Sequence, residues 1–336
     1  MVQIVAIGIA AGAAAALVFA ALVPGSTLSL LLVSITPTLL PILIAALGWG
    51  HLAGLIAAFV AAMAAAATLT DMRFVTFLVS VGLPAWWLGY LTLLGRPAHE
   101  ANANGTAAPQ ANADEIEWYP VGRLVVWGAL LAALAVIIGV LNNGWDAESI
   151  RSKLTGEFEQ FVRYQNGIPA DAPLEITSYP DPSGLLDLLA AVLPPTAAVL
   201  ATIANLMNLW LAARIVKISG RLKRPWPDLA AMAFPPLLSG ALAAAVAASF
   251  LDGLAGILAG VLGAALLTAY AILGFAVLHK ITSGMSGRGF VLAGVYTAVG
   301  VLGWPMLMMT LLGLADSVID LRGRVAARRG TPSPRS

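Results

Sequence analysis

The sequence predicts an all-α membrane protein, a polytopic transmembrane helical bundle with eight or nine membrane segments. Its first seventy residues contain no Lys, Arg, Asp or Glu, so this stretch has no face that water would solvate. Over all 336 residues 60% are hydrophobic and 10% are charged, whereas soluble domains carry about a quarter charged residues. The apolar runs are continuous, which favours helices over the alternating strands of a membrane barrel.

Nine apolar segments have the length that a membrane crossing requires. A helix needs roughly 20 residues to cross the hydrocarbon core, where its backbone groups must bond to one another. Short polar breaks separate the first four segments, which predicts antiparallel neighbours. The predicted segments are 4–23, 27–47, 51–69, 74–94, 122–141, 186–213, 229–249, 252–278 and 290–316.

The composition divides the chain into membrane and extramembrane parts. The stretch between the fourth and fifth segments is rich in Ala, Asn and Pro and predicts a mostly disordered loop. The predicted parts are a four-span N-terminal bundle (1–94), the disordered loop (95–120), a fifth span (121–141), an extramembrane loop (142–185), a C-terminal membrane bundle (186–317) and a basic flexible tail (318–336).

The extramembrane loop contains an amphipathic helix. Ile150, Leu154 and Phe158 recur at helical spacing, and charged residues occupy the positions between them. Asp146 stands where an N-cap is expected. Such a helix either lies on the membrane surface or covers the mouth of the bundle.

The positions of Lys and Arg predict the orientation of the chain, because both residues favour the cytoplasmic side. With nine crossings and the N-terminus inside, each side of the membrane carries nine Lys and Arg residues, so the rule does not decide the orientation. Five of the nine inside form a cytoplasmic basic cluster, which consists of Arg214, Lys217, Arg221, Lys223 and Arg224.

One late segment that does not cross completely would resolve this tie. The basic cluster and the basic tail would then share a side, with 14 Lys and Arg residues inside and 4 outside. Gly300, Gly303 and Pro305 make segment 290–316 the best candidate for the break. Nine plain spans with an external tail remain the alternative.

The sequence carries no recognisable catalytic motif. It has no cysteine, and its three histidines, His51, His99 and His279, are far apart. It also lacks the zinc-hydrolase, phosphate-loop and nucleophile-elbow motifs. We therefore predict no catalytic residue, no metal site and no cofactor, and the net charge of +1 gives no case for nucleic acid.

Polar residues inside apolar segments are the better candidates for a binding site, since an unpaired polar group is costly in hydrocarbon. Thr202, Asn205 and Asn208 fall in one segment, and the two asparagines share a helix face. They bind either a polar ligand or a neighbouring helix. Pro194 and Pro195 upstream predict a kinked helix that lines a cavity.

Aromatic residues give a second candidate site. Trp86 and Trp87, with Tyr90, lie toward the end of the fourth segment. They form either an interfacial aromatic belt or the floor of a pocket for a flat ligand.

Two further patterns concern packing. Small residues four apart allow helices to approach closely; the predicted packing residues are Gly8, Gly12, Ala10, Ala14, Gly256 and Gly260. Asp316 and Asp320, close to Arg322 and Arg324, predict an ion-pair cluster that fixes the tail, with a proton relay as the alternative.

Four stretches carry a resemblance to a known family: 82–89, 208–217, 274–280 and 313–322. The last has a Gly-Leu-x-Asp sequence followed by Asp-x-Arg. Together they resemble the YybS-like family of predicted bacterial membrane proteins, domain-of-unknown-function family 2232.

The N-terminal half is also similar to the substrate-binding subunits of energy-coupling-factor vitamin transporters. In those proteins an alanine-spaced first helix docks on a transmembrane coupling subunit, and the resemblance implies this role for Ala10 and Ala14. The extra C-terminal spans and the loop at 141–184 depart from that pattern.

Two functions fit these observations. The first is a multi-pass protein of the bacterial inner membrane that binds or helps to transport a small molecule, without an ATPase site of its own. The second is a membrane scaffold or assembly factor that acts through helix packing and its basic cytoplasmic loop. The expected partners are the lipid bilayer, other membrane proteins and an unidentified small molecule.

Overall fold

The computed structural model describes residues 1–22, 37–68, 72–97, 116–169, 171–172 and 182–328. Helices dominate these ranges, and one short two-stranded sheet is present. The all-α prediction is therefore confirmed.

The N-terminal part is a group of packed helices. Helix α1 (Val2–Leu22) is followed, after residues 23–36, by a 3-10 turn at Pro37–Leu39 and by α2 (Leu40–Trp49). A turn at Gly50, whose φ is +102°, leads into α3 (His51–Thr68). Helix α4 (Met72–Phe77) continues through a π-helical turn at Leu78–Gly82 into α5 (Leu83–Thr92).

Glycines bring α1 against α3. A Cβ on Gly8 would lie 2.7 Å from the side chain of Ile56, and one on Gly12 would lie 2.7 Å from the carbonyl oxygen of Ala57. Ala10 and Ala14 are exposed on another part of α1. Gly8 and Gly12 thus allow the close approach to α3, whereas the two alanines are exposed.

The ends of the predicted disordered loop are ordered. Strand β1 (Gly95–Pro97) pairs antiparallel with β2 (Ile116–Trp118). The guanidinium of Arg96 lies 2.7 Å from the carboxylate of Glu117 across the pair. The prediction for 95–120 therefore differs from the structure at both ends, because it did not consider strand pairing, and residues 98–115 lie outside the described ranges.

The C-terminal part contains the longest helices. They are α6 (Val121–Leu141), α7 (Ala147–Asn166), α8 (Pro182–Ile218), α9 (Leu238–Ala248), α10 (Gly253–Ile281), α11 (Arg288–Leu302), α12 (Pro305–Ile319) and α13 (Leu321–Arg328), with a 3-10 turn at Leu229–Ala231.

Helix α10 is the centre of this part, and it packs against α6, α8, α9 and α12. Its closest contact is with α12, where a Cβ on Gly274 would collide with the carbonyl of Met309. A Cβ on Gly313 would likewise collide with the carbonyl of Tyr270. These two glycines, which we did not predict as packing residues, let the two backbones touch.

Helix α7 is the predicted amphipathic helix. Its N-cap is Asp146, whose carboxylate accepts a hydrogen bond of 2.8 Å from the backbone N–H of Ser149. Ile150 and Leu154 are buried in the core formed with α6, α8 and α10, while Phe161 is exposed. The first half of α7 therefore packs on the bundle.

Within the described residues, five helical stretches are long and apolar enough to cross a membrane: Val2–Ala20, Phe74–Thr92, Val121–Leu141, Ser183–Ile218 and Gly253–Ile281. They support a membrane protein. Part of the predicted segment 27–47 lies outside the described residues. Segment 229–249 contains the 3-10 turn at Leu229–Ala231 and one α-helix of 11 residues, α9. Segment 290–316 is broken at Gly303, whose φ is +70°, into the 15-residue helices α11 and α12.

Candidate functional site

A cavity of about 580 Å³ lies among α6, α8, α10 and α11. The connection between α8 and α9 closes one side of it. Small-molecule sites in proteins occupy roughly 300–1,000 Å³, so the cavity has the size of a ligand site.

The wall of the cavity is mostly apolar. Leu206 and Leu209 come from α8, Val125 from α6, and Ile272 and Ala276 from α10. Val125 and Ala276 also belong to the core in which these helices pack. The cavity is thus a space left open where three core helices meet.

The connection after α8 contributes the run Arg-Pro-Trp-Pro-Asp at 224–228, and all five residues line the cavity. The indole of Trp226 is held by cations of α8. The ammonium of Lys217 lies 4.8 Å from the ring centre, and the guanidinium of Arg214 lies 5.3 Å from it. Such cation–π contacts fix Trp226 as a wall of the cavity.

Arg224 is a buried cation beside the cavity, with only 7% of its surface exposed. Its guanidinium donates hydrogen bonds to the carbonyls of Thr92 at 3.1 Å and Tyr119 at 2.8 Å. Among the described residues no carboxylate forms an ion pair with it. Burial lowers the pKa of Arg224 from its ordinary value.

A hydrogen-bonded chain joins α10 to α11 at the cavity. The Nη2 of Arg288 lies 3.3 Å from Nδ1 of His279, and the Nε2 of His279 lies 2.9 Å from the hydroxyl of Tyr296. Because a guanidinium only donates, we assign Nδ1 as the acceptor and Nε2 as the protonated nitrogen. Tyr296 also stacks on Phe275, with ring centres 5.1 Å apart.

The lining contains one carboxylate in addition to the guanidinium groups of Arg224 and Arg288. It belongs to Asp228, which accepts a hydrogen bond of 3.0 Å from the backbone N–H of Ala230. Its role is to cap the 3-10 turn at Leu229–Ala231. The fixed charges of the lining are therefore positive on balance.

The predicted polar residues of α8 lie outside this lining. Thr202 donates to the carbonyl of Ala198 and Asn208 to that of Ala204, both one turn back in the same helix. Asn205 reaches another helix and donates to the carbonyl of Gly128 on α6 at 3.1 Å. Of the two roles predicted for Asn205, the structure displays the interhelical hydrogen bond.

Pro194 and Pro195 lie within α8, and the helix runs on through both. The cavity wall that α8 supplies begins at Leu206, three turns further along. The part of α8 that lines the cavity therefore lies away from the two prolines.

Trp86 and Trp87 belong to an aromatic cluster apart from the cavity lining. The ring centres of Trp86 and Tyr90 are 6.1 Å apart, and those of Trp87 and Trp127 are 5.6 Å apart. The indole N–H groups of Trp86, Trp87 and Trp49 are buried without a hydrogen-bond partner among the described residues.

The remaining predicted packing glycines behave differently from each other. A Cβ on Gly256 would collide with the carbonyl of Leu251 in the turn before α10, whereas one on Gly260 would come no closer than 3.9 Å to its nearest neighbour, Ser249. Gly256 therefore serves a tight turn, and Gly260 has ordinary space around it.

Three residues of the basic cluster, Arg214, Lys217 and Arg221, contact tryptophan rings. Besides the contacts to Trp226, the guanidinium of Arg221 lies 4.6 Å from the ring centre of Trp49. Lys223 is exposed, whereas Arg224 points inward to its two carbonyl partners. Within the described ranges no ion pair neutralises any of the five residues.

Sequence reasoning missed His279, Arg288, Tyr296 and Trp226 as neighbours in one site. The run at 224–228 was a usable signal, because it places a tryptophan between two prolines directly after the basic cluster. The pairing of α10 with α11 had no local signal.

Comparison of the chain with family models, curated proteins and solved structures found no match. In the described part of the chain no group of three or more His, Cys, Asp and Glu side chains is placed to hold a metal ion. The cavity and its charges are thus the basis for a functional proposal.

Proposed function

We propose that the protein binds a small, largely apolar molecule in the cavity among α6, α8, α10 and α11, and that it helps to move this molecule in or across the membrane. The observation that carries the proposal is the apolar cavity of about 580 Å³ whose lining includes Arg224 and Arg288, two cations without an ion pair among the described residues. An apolar wall with a few fixed polar groups is the usual composition of a small-molecule site.

Filling the cavity tests this proposal. Ala213 is a half-buried lining residue of α8, so Ala213→Phe would place a ring in the space a ligand needs. Ala191→Phe is the matched control, because Ala191 is an exposed residue of the same helix. Both proteins would be purified in mild detergent and analysed by native mass spectrometry for bound small molecules.

We expect wild type and Ala191→Phe to carry the same bound molecule, and Ala213→Phe to have lost it. Equal occupancy in all three proteins would contradict binding in this cavity. A folded wild type that carries no molecule, and takes up none of a set of added apolar compounds, would contradict the proposal as a whole.

A scaffold function is the second candidate, and two observations favour it. Asn205 bonds between packed helices, and the basic cluster presents positive charge without acidic partners among the described residues. A scaffold would tolerate Ala213→Phe but not the loss of its basic surface. Complementation of a deletion strain by Ala213→Phe and failure of Lys223→Glu would support the scaffold.

We also propose that the basic cluster faces the cytoplasm of a bacterial cell and that the C-terminal tail shares that side. The break at Gly303 supports this arrangement, because α11 and α12 each span about 22 Å and the hydrocarbon core is about 30 Å thick. The proposal counts segment 229–249 as a crossing by its apolar length, in which α9 occupies 11 residues, and with it the total is eight crossings. The resemblance to the YybS-like family remains part of the same proposal.

The absence of cysteine makes this topology easy to test. Single cysteines at Ser219→Cys and Arg328→Cys would be labelled in intact cells with a membrane-impermeant maleimide. We expect neither to react until the membrane is permeabilised. External labelling of Arg328→Cys alone would instead establish an odd number of crossings between the two sites.

A further inference from the structure

We propose that the molecule bound in the cavity is an anionic amphiphile, with its apolar part against α8 and α10 and its phosphate or carboxylate group at Arg224. This inference rests on the proposed function and adds the chemical class of the ligand. Four features of the cavity carry it.

The first feature is the incomplete pairing of Arg224. A guanidinium offers five N–H donors, and the two hydrogen bonds of Arg224 go to neutral carbonyl groups, those of Thr92 and Tyr119. A charge that is 93% buried is costly unless an opposite charge compensates it. Since no described carboxylate does so, an anionic group of a ligand is the natural complement.

The second feature is the fixed position of that cation. The carbonyl of Thr92 ends α5 and the carbonyl of Tyr119 precedes α6, so two elements hold the guanidinium in place. The hydroxyl of Tyr119 also accepts a hydrogen bond of 3.1 Å from the indole of Trp127, which steadies the second partner. A planar guanidinium held in this way suits bidentate binding of a phosphate or carboxylate.

The third feature is the sign of the surrounding charge. Arg288 is a second cation of the lining, and the carboxylate of Asp228 is engaged by the backbone N–H of Ala230. Lys217 and Arg214 lie against the ring of Trp226 and add positive potential nearby. Such a field concentrates anions and repels cations.

The fourth feature is the apolar remainder of the wall. Leu206, Leu209 and Ile272 offer no hydrogen-bonding side chain, so a free phosphate or acetate ion would leave most of the cavity unused. A chain or ring system attached to the anionic group would cover these residues and gain from their burial. The apolar wall together with the cation therefore favours an amphiphile over a free anion or a purely apolar molecule.

The experiment compares ligands that share one tail. Dodecyl phosphate, dodecanoate, dodecanol and dodecyltrimethylammonium would be titrated into the purified protein in mild detergent, with Ala213→Phe as the blank for micelle partitioning. Two competitors would then be added separately. A two-chain anionic phospholipid tests whether the ligand is a membrane lipid, and inorganic phosphate tests whether it is a free ion.

For wild type we expect one or both anionic compounds to bind about tenfold or more tightly than dodecanol. Arg224→Gln should remove most of this preference, and Lys223→Gln, an exposed neighbour that is not part of the lining, should keep it. Arg288→Gln, on the exposed start of α11, should reduce the preference to a smaller extent. Arg288→Gln provides an independent test of the anion preference if Arg224→Gln does not fold.

Each alternative result has a separate meaning. Equal affinity for dodecanol and the anionic compounds, or a preference for dodecyltrimethylammonium, would overturn the anionic class while the proposed function stands. Competition by inorganic phosphate alone would overturn the amphiphile. Binding of none of the compounds by folded wild type, with no bound molecule after purification, would contradict the proposed function itself.

Discussion

Arg322 closes a buried ion pair with Asp316 across the end of α12, with its Nη2 2.7 Å from the Oδ2 of the carboxylate. Asp316 is only 2% exposed, and its Oδ1 also accepts from the backbone N–H of Arg322 at 3.0 Å. The same guanidinium donates through Nη1 to the carbonyl of Ala230 at 2.8 Å. Since Ala230 lines the cavity, this pair ties the C-terminal helix to the cavity wall.

Breaking this pair should destabilise the protein strongly. Arg322→Ala leaves the buried carboxylate of Asp316 without its cation, which typically costs about 3–5 kcal/mol. Thermal unfolding followed by circular dichroism in detergent would measure the loss. Arg324→Ala, an exposed neighbour, is the control. The double variant Asp316→Asn with Arg322→Gln should recover part of the loss, and strictly additive effects would contradict a direct coupling.

The contact of α10 with α12 should not tolerate a methyl group. Gly274→Ala and Gly313→Ala each place a Cβ against a backbone carbonyl, so the helices must separate. We expect a lower unfolding temperature and weaker protection of α12 from hydrogen exchange. Gly294→Ala in α11 is the control, because nothing lies within 4 Å of its Cβ position. An unchanged unfolding temperature for Gly274→Ala would contradict the contact.

The hydrogen bond from Asn205 should matter more than that of its neighbour Thr202. Asn205→Leu removes the bond to Gly128 between α8 and α6, and such bonds contribute about 0.6–2 kcal/mol in membrane proteins. Thr202→Val removes only a bond within α8 and should have little effect. Comparison of the unfolding temperatures would decide. If Asn205→Leu proved neutral and lost a bound molecule instead, the ligand role of Asn205 would be restored.

The start of α7 should depend on pH through Asp146. Its hydrogen bonds with Ser149 hold the pKa of the carboxyl below its ordinary value. Because the pKa of Asp146 is lower in the folded state, the cap stabilises α7 fully at pH values above the ordinary carboxyl pKa of about 3.9. That contribution is lost as the pH falls through the lowered value. Hydrogen exchange of α7, measured from about pH 6 down to about pH 3, would follow this loss.

Asp146→Asn provides the control for this effect. Asparagine also caps helices well but carries no titratable group. Residues near Ser149 should therefore stay protected in the variant when the pH is lowered. Equal acid sensitivity in both proteins would show that another group controls α7.

Much of the fold could be predicted from the sequence, because a helix that crosses lipid must be apolar along its length. The starts and ends of α3, α6 and α10 fall within three residues of the predicted segments, since apolar length sets each one. Asp146 was recognisable as a cap from its place before a helical pattern. The ion pair of Asp316 with Arg322 was also anticipated, because both lie within about two turns of each other.

Other features depended on distant partners. The sequence predicted the break at Gly303 that separates α11 from α12, but it did not predict that α9 would have only 11 residues. Nothing in the sequence distinguishes Gly274 and Gly313 from the other glycines. The structure shows that each lies against a backbone carbonyl of the opposite helix. The site residues Arg224, His279 and Arg288 lie up to 64 positions apart in the sequence, and no local pattern joins them.

The sequence by itself determined that this is a helical membrane protein, because a chain with no charge in seventy residues is stable only where its backbone bonds within helices. Only the tertiary structure decided which polar groups face one another. It turned Asn205 toward Gly128, buried Arg224 beside an apolar cavity, and left that cation without an ion pair among the described residues. Burial and charge pairing arise from contacts between distant segments, so they are properties of the packed bundle rather than of any one helix.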